Sequence, residues 1–187
     1  MDILIASDIF GHTPDLDRLA ARIGAEHTHI IAPHDRTFAE EAQAYEFFVR
    51  STDIPSYAGK ISDTLASLKF KNRPLVLVGF SIGAAAIWLV SANQEFSWIQ
   101  RAFCFYGSRI RDHRDICPVF PVDLIFPERE SHFDVLELAR ELTEVPRVSC
   151  TREEPGLHGF MNQRSANFSK TLYQKWTGQL NHCIEQQ

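Results

Sequence analysis

The stretch that decides the fold is VGFSIGAAAIW, residues 78–88. An apolar run at 75–78 leads into it, and three alanines follow Ser81 and its two flanking glycines. Small residues on both sides of a serine allow a strand to turn sharply into a helix and to pack closely against its neighbours. The pattern predicts a nucleophile elbow, in which Ser81 stands above the carboxyl edge of a sheet and the amide of Ile82 opens a helix.

Other glycine motifs do not explain this turn. The dinucleotide-binding pattern G-x-G-x-x-G is absent, and a phosphate-binding loop would require a Gly-Lys pair at this turn, where Gly83 is followed by Ala84 instead. A serine is a weak nucleophile until a base removes its proton. The elbow therefore predicts a histidine later in the chain, with a carboxylate between the two.

Six short apolar runs alternate with segments of helical length, which favours a mostly parallel sheet covered by helices on both faces. The predicted strands are 3–6, 28–32, 75–78, 102–106, 122–126 and a weaker one at 147–150. Thr13 and Pro14 predict the start of a helix that Gly24 ends. Further helices are predicted around 61–68, after Ser81, at 135–142 and at 168–180. The polar and aromatic insertion at 33–56 is a candidate cap over a pocket.

Composition limits the class of protein. The 187 residues are expected to form one domain, and the apolar fraction of 44% with 23% charged residues is ordinary for a globular chain. A net charge of −5 without basic clusters argues against nucleic-acid partners, and a small molecule is the expected partner. No apolar run has the length of a membrane span, and the start MDILIASDIF lacks the features of a secretory signal. We therefore expect a cytoplasmic protein that does not bind membranes.

The histidine and the acid have candidates in the second half of the chain. His158 lies in EPGLHGF, a loop flanked by glycine after the last predicted strand. The fifth strand is followed by Glu128, Glu130 and Asp134. Ser131 and Asp134 have the spacing of a capping box, with Ser131 as the N-cap, which gives Asp134 a structural role. Glu130 is the first choice for the acid and Asp134 the second, followed by Asp112 or Asp115.

Four segments together resemble the dienelactone hydrolase family of α/β-hydrolases: LIASDIFGHTPDLDRLA, VGFSIGAAAIW, FPERESHFD and GLHGF. The resemblance implies a three-layer fold with a minimal six-stranded sheet in the order 2-1-3-4-5-6. It implies catalysis by Ser81, His158 and Glu130, with an oxyanion hole formed by the amides of Ile9 and Ile82. Family members that cleave dienelactone use cysteine, so the serine points toward relatives that act as esterases.

The predicted activity is hydrolysis of an ester, lactone or thioester without a metal or organic cofactor. Asp8, Phe10, Tyr106 and Arg164 are predicted to line the substrate pocket. An arginine clamp for a substrate carboxylate is open to four residues, namely Arg36, Arg50, Arg109 and Arg164. The alternatives are a binding protein that keeps the scaffold without turnover, and a carbon-carbon hydrolase. The sequence does not indicate the substrate or the oligomeric state.

Overall fold

The architecture is a six-stranded parallel sheet in the order β2-β1-β3-β4-β5-β6, seen in a computed structural model that describes residues 1–69 and 73–185. Every neighbouring pair of strands is parallel. The strands are β1 Asp2–Ala6, β2 His27–Ile31, β3 Leu75–Phe80, β4 Arg101–Phe105, β5 Val122–Pro127 and β6 Val148–Glu153. The predicted fold class and strand order are confirmed.

Helices cover both faces of the sheet, as the alternating pattern predicts. They are α1 Pro14–Ile23, α2 Glu41–Ser51, α3 Ile54–Lys69, α4 Ile82–Val90, α5 Val135–Thr143 and α6 Lys170–Glu185. On one face, buried residues of the strands pack against α1 and α6. On the other face, buried residues of the strands pack against α3, α4 and α5. The insertion at 33–56 contains α2 and the start of α3. No helix in the described ranges is long and apolar enough to cross a membrane.

Helix ends follow the sequence signals in one case and depart from them in another. The Thr13 side chain accepts a hydrogen bond from the amide of Leu16, and Gly24 ends α1 with a φ of 73°. The N-cap of α5 is Asp134, whose carboxylate accepts from the amides of Leu136 and Glu137, the second and third residues of the helix. The prediction that Ser131 is this N-cap is therefore wrong, because Asp134 itself occupies the cap and α5 begins at Val135.

The elbow depends on close contact between α4 and the end of β1. A Cβ atom on Gly83 would lie 2.4 Å from the carbonyl oxygen of Ala6 and 2.5 Å from that of Ser7. A Cβ on Gly79 would lie 2.7 Å from the backbone of Ala84. These neighbours are backbone atoms that cannot rotate away, so glycine is required at both positions.

We predict that Gly83→Ala destabilises the protein by about 3 kcal/mol or more, because α4 must move away from β1. Gly178→Ala is the matched control, since Gly178 is an exposed helical glycine with nothing within 4 Å of the added Cβ. It should stabilise the fold by roughly 0.5 to 1 kcal/mol. Urea unfolding of both variants measures the difference, and equal effects would contradict the close-contact explanation.

Candidate active site

Three polar side chains meet at the carboxyl edge of the sheet, although they are far apart in sequence. Ser81 directly follows β3, Glu130 lies in the loop after β5, and His158 lies in the loop after β6. Carboxyl ends of parallel strands share one edge of a sheet, which is where α/β proteins bind their ligands. The structure thus brings together the three residues predicted as catalytic.

Ser81 has the strained backbone expected of a nucleophile elbow. Its φ and ψ are 52° and −112°, outside the regions that a residue with a side chain prefers. Its amide donates to the carbonyl of Phe105 on β4 at 2.9 Å, which fixes the turn to the neighbouring strand. Backbone contacts thus hold the strained turn on both sides: Phe105 of β4 on one side, and the close approach of Gly83 to the end of β1 on the other.

His158 links the serine to the acid. The distance from Ser81 Oγ to His158 Nε2 is 3.0 Å, and the distance from His158 Nδ1 to Glu130 Oε1 is 2.7 Å. The His158 carbonyl accepts from the Asn167 side chain at 2.9 Å, and the Tyr106 ring packs 5.1 Å from the imidazole. The ring is therefore held between an acid and a hydroxyl, in the arrangement that general-base catalysis by histidine requires.

The other candidate acids have different partners. Asp134 caps α5, and Asp112 pairs with Arg109 at 2.7 Å. Glu130 is the acid within hydrogen-bond distance of the imidazole. Its side chain is 11% exposed against 30% for His158, so the carboxylate is shielded from water while the imidazole remains accessible.

The β1–α1 turn supplies the opposite wall of the site. Ile9 lines the cavity beside Ser81, and Ile82 is the first residue of α4, where helix amides have no intrahelical partner. The Phe10 amide donates to the Asp8 carboxylate at 3.0 Å. Asp8 lies at the start of this turn, and its second carboxylate oxygen accepts a hydrogen bond from Asn162 Nδ2 at 2.6 Å.

The surroundings of Asp8 change the pKa of its carboxyl group. Burial raises the pKa of its carboxyl from 3.8 to about 6, and the Glu41 charge adds to this rise. Hydrogen bonds from Phe10 and Asn162 and the nearby His158 act in the opposite direction. Most of the Asp8 population is therefore ionised at neutral pH.

Two small cavities meet at this wall. The outer cavity lies beside Ser81 and has a volume of about 20 Å³. It is lined by Asp8, Ile9, Phe10, Glu41, Ser81, Tyr106, His158, Gly159, Asn162 and Ser165. The inner cavity, between α1 and α6, shares Asp8, Tyr106 and Asn162 with it. Predicted lining residues Asp8, Phe10 and Tyr106 thus surround the outer cavity.

Arg164 does not line either cavity, contrary to the prediction. Its guanidinium Nε donates to Asp15 at 2.9 Å and its Nη1 donates to the carbonyl of Phe38 at 3.1 Å. The other proposed clamps are also engaged elsewhere. Arg36 stacks on Phe47, Arg50 pairs with Glu46 and Arg109 pairs with Asp112.

The predicted site residues do not include four residues of the outer cavity, namely Glu41, Gly159, Asn162 and Ser165. Asn162 follows the histidine loop and contacts Asp8, which lies 154 positions earlier. Glu41 is the first residue of α2, inside the insertion that was predicted to cap a pocket. Neither Asn162 nor Glu41 belongs to a recognisable motif, so the sequence gave no signal for either residue.

A group that could hold a metal lies away from this site. Ligand atoms of Asp2, Glu26 and His27 approach one another within 4.8 Å near the amino end of β1. Arg73 forms ion pairs with Asp2 and Glu26. A cation thus already neutralises this group.

The fold is shared with solved esterase structures. Est1E from Butyrivibrio proteoclasticus aligns with a TM-score of 0.60 at 9% identity, over 98% of this chain and 86% of that protein. A zinc-bound, cold-adapted esterase from an Arctic intertidal metagenomic library aligns with a TM-score of 0.62 at 16% identity, over 98% and 82%. The Pyrococcus furiosus esterase Pf2001 gives 0.61 at 11% identity, over 99% and 82%. Together with the strand order, these similarities show that the chain has an α/β-hydrolase fold.

A sequence relative identifies the family more narrowly. No protein-family model matches the chain. The Bacillus subtilis (strain 168) protein described as "Uncharacterized protein YczH" is 30% identical over 180 residues, which cover 92% of this chain and 87% of that protein. The chain belongs to the same family as YczH.

We predict that Asp8 makes stability fall between about pH 4 and pH 7. A folded-state pKa above the unfolded value adds stability below the unfolded pKa, and this stability is lost as pH rises through about 6. Relative to Asp8→Asn, the wild type should lose about 2 to 3 kcal/mol over this range. Urea unfolding as a function of pH measures the difference. Asp63→Asn, an exposed change on α3, should run parallel to the wild type.

Proposed function

We propose that the protein is a serine hydrolase that cleaves an ester, lactone or thioester of a small molecule through an acyl-enzyme. The observation that carries the proposal is the continuous relay from Ser81 Oγ to His158 Nε2 at 3.0 Å and from His158 Nδ1 to Glu130 Oε1 at 2.7 Å. The relay begins on a strained turn beside a cavity, so the hydroxyl has both a base and access to a substrate.

In the acylation step, Ser81 Oγ attacks the substrate carbonyl while His158 Nε2 takes the hydroxyl proton. Glu130 accepts from His158 Nδ1–H, which holds the tautomer whose Nε2 is free to act as base. The imidazolium then gives its proton to the departing alcohol or thiol. The product of this step is an acyl group on Ser81.

The amides of Ile9 and Ile82 form the oxyanion hole in this proposal, and they donate hydrogen bonds to the negatively charged oxygen of the tetrahedral intermediate. Each preorganised donor of this kind contributes roughly 2.7 to 4 kcal/mol to the transition state. In deacylation, His158 removes a proton from water as the water attacks the acyl-enzyme, and the same amides hold the oxyanion. Ser81 then regains its proton and the acid product leaves.

The structure also bears on the alternative functions. A binding protein without turnover has no need of a base and an oriented acid, so the relay favours an enzyme over a receptor. The resemblance to dienelactone hydrolases supports ester or lactone chemistry, with Ser81 in place of cysteine and Glu130 in place of aspartate. A carboxylate-bearing lactone is a less suitable substrate, because the arginines considered as clamps are engaged elsewhere.

We expect a fluorophosphonate to form a stoichiometric adduct with Ser81 in the native protein, because the relay activates this hydroxyl. Intact mass and peptide mapping identify the modified residue. Ser81→Ala should abolish labelling and lower the turnover of short p-nitrophenyl esters by about a million-fold. Ser97→Ala, an exposed serine outside the cavity, should leave both unchanged. A native protein that resists labelling would overturn the proposal.

Glu130 and Asp134 should respond to substitution in opposite ways. Glu130→Gln leaves the shape of the side chain but weakens control of the His158 tautomer, so kcat should fall by roughly ten-thousand-fold with little change in stability. Asp134→Ala removes the α5 cap, so it should cost about 0.5 to 2 kcal/mol and leave kcat nearly intact. Ester kinetics and urea unfolding on both variants separate the two roles, and loss of kcat in Asp134→Ala would reverse the assignment.

A further inference from the structure

The charges around the outer cavity are all of one sign. Its wall contains two carboxylates, Asp8 and Glu41, and neither lysine nor arginine is among its lining residues. Asp8 is held by two neutral donors, the Phe10 amide and the Asn162 side chain. The Glu41 side chain makes no hydrogen bond or ion pair with the residues that the structure describes. Two negative charges thus face the reacting carbonyl without a protein cation to balance them.

Other acids near the site already have specific partners. Asp15, on the wall of the inner cavity, pairs with both Arg18 and Arg164. Glu130 accepts from His158. Asp8 and Glu41 differ from these two acids because their charges remain available to a ligand.

Tyr106 gives a second and independent indication of a ligand. Its side chain lines both the outer and the inner cavity, it is 1% exposed, and its hydroxyl has no hydrogen-bond partner among the described residues. The backbone of Met161 is near enough to affect the pKa of the Tyr106 phenol, but the pair lacks the geometry of a hydrogen bond. A buried hydroxyl without a partner is costly, and a ligand that donates to the phenol oxygen would relieve part of that cost.

Aromatic rings and carboxylates together favour a cationic amine. Phe10 and Tyr106 both line the cavity, and the face of an aromatic ring attracts an ammonium group. An ammonium can also donate to a carboxylate and to a phenol oxygen. An anionic group would instead be repelled by Asp8 and Glu41 and would find no donor with positive charge.

We infer that the substrate of this site carries a primary ammonium group close to the scissile carbonyl, bound between Asp8, Glu41 and Tyr106. The inference rests on the proposed function for the identity of the reacting carbonyl. Glu41 acts in it as a specificity-determining residue at the rim, because its side chain is exposed and approaches the substrate from α2. The outer cavity volume of about 20 Å³ is room for little more than one water molecule, so the acyl group must be small.

The experiment compares three methyl esters that share the acyl length and differ in charge. They are β-alanine methyl ester, methyl butyrate and monomethyl succinate. At pH 7.5 and low salt, we expect kcat/KM to fall in that order, with the cationic ester about tenfold or more above the anionic one. Glu41→Gln should reduce this ratio several-fold, and Glu41→Lys should reverse it.

Glu40→Gln and Glu40→Lys are the matched controls. Glu40 is also exposed and makes the same change of charge one residue earlier, but its side chain forms no cap hydrogen bond and does not line the cavity. Both controls should keep the wild-type order and ratio. Equal rates for the three esters, a preference for succinate, or equal effects of the Glu40 and Glu41 variants would overturn the inference.

The two proposals fail separately. Cleavage of all three esters at one rate that depends on Ser81 would overturn the ammonium inference and support the hydrolase. If no ester is cleaved, the hydrolase proposal fails for these substrates, and binding still tests the charge preference. Saturation-transfer NMR with the Ser81→Ala variant ranks the affinities of the three uncleaved esters, and the β-alanine ester must bind most tightly for the inference to stand.

Discussion

The close contact between Gly83 and the end of β1 is the constraint on which the rest of the site depends. With only a hydrogen on Gly83, the first turn of α4 reaches the carbonyls of Ala6 and Ser7. This contact places the start of α4 beside the β1–α1 turn, so Ile9 and Ile82 come from adjacent segments. The strained Ser81 is fixed from the other side by β4 through Phe105. A larger residue would separate the serine from the wall that carries Asp8.

α3 holds the remaining parts of this wall in position. The Tyr57 hydroxyl lies 3.1 Å from the carbonyl of Ser7 and 2.8 Å from that of Ile31, where β1 and β2 end. Lys60 donates to the carbonyl of Pro33, at the start of the insertion. The insertion is therefore attached to the same helix that supports the strand ends. This attachment explains how a segment outside the sheet brings Glu41 to the cavity.

The sequence predicts the sheet and the relay because local patterns carry that information. The strands, the helix that starts at Pro14 and the elbow follow from periodicity, caps and glycines, whereas the strand order follows from the resemblance to α/β-hydrolases. Asp134 was correctly assigned a structural role, although the cap was placed at Ser131. The prediction that Arg164 lines the pocket is wrong, because Arg164 pairs with Asp15, which lies 149 positions away. Two charged residues so far apart in sequence form no local pattern that would reveal the ion pair. Contacts between distant loops are decided by the fold and are not visible in the sequence.

The position of Glu130 beside His158 is explained by the geometry of the loop between β5 and α5. Asp134 is committed to the α5 amides, so the acid that orients His158 must come from an earlier residue of the loop. The longer side chain of Glu130 spans the gap and reaches Nδ1 at 2.7 Å. Since its carboxylate is mostly shielded from water, its charge acts on the imidazole through a medium of lower polarity than water. In the proposed mechanism, the imidazolium formed during proton transfer is stabilised more strongly by this shielded acid than it would be by an exposed one.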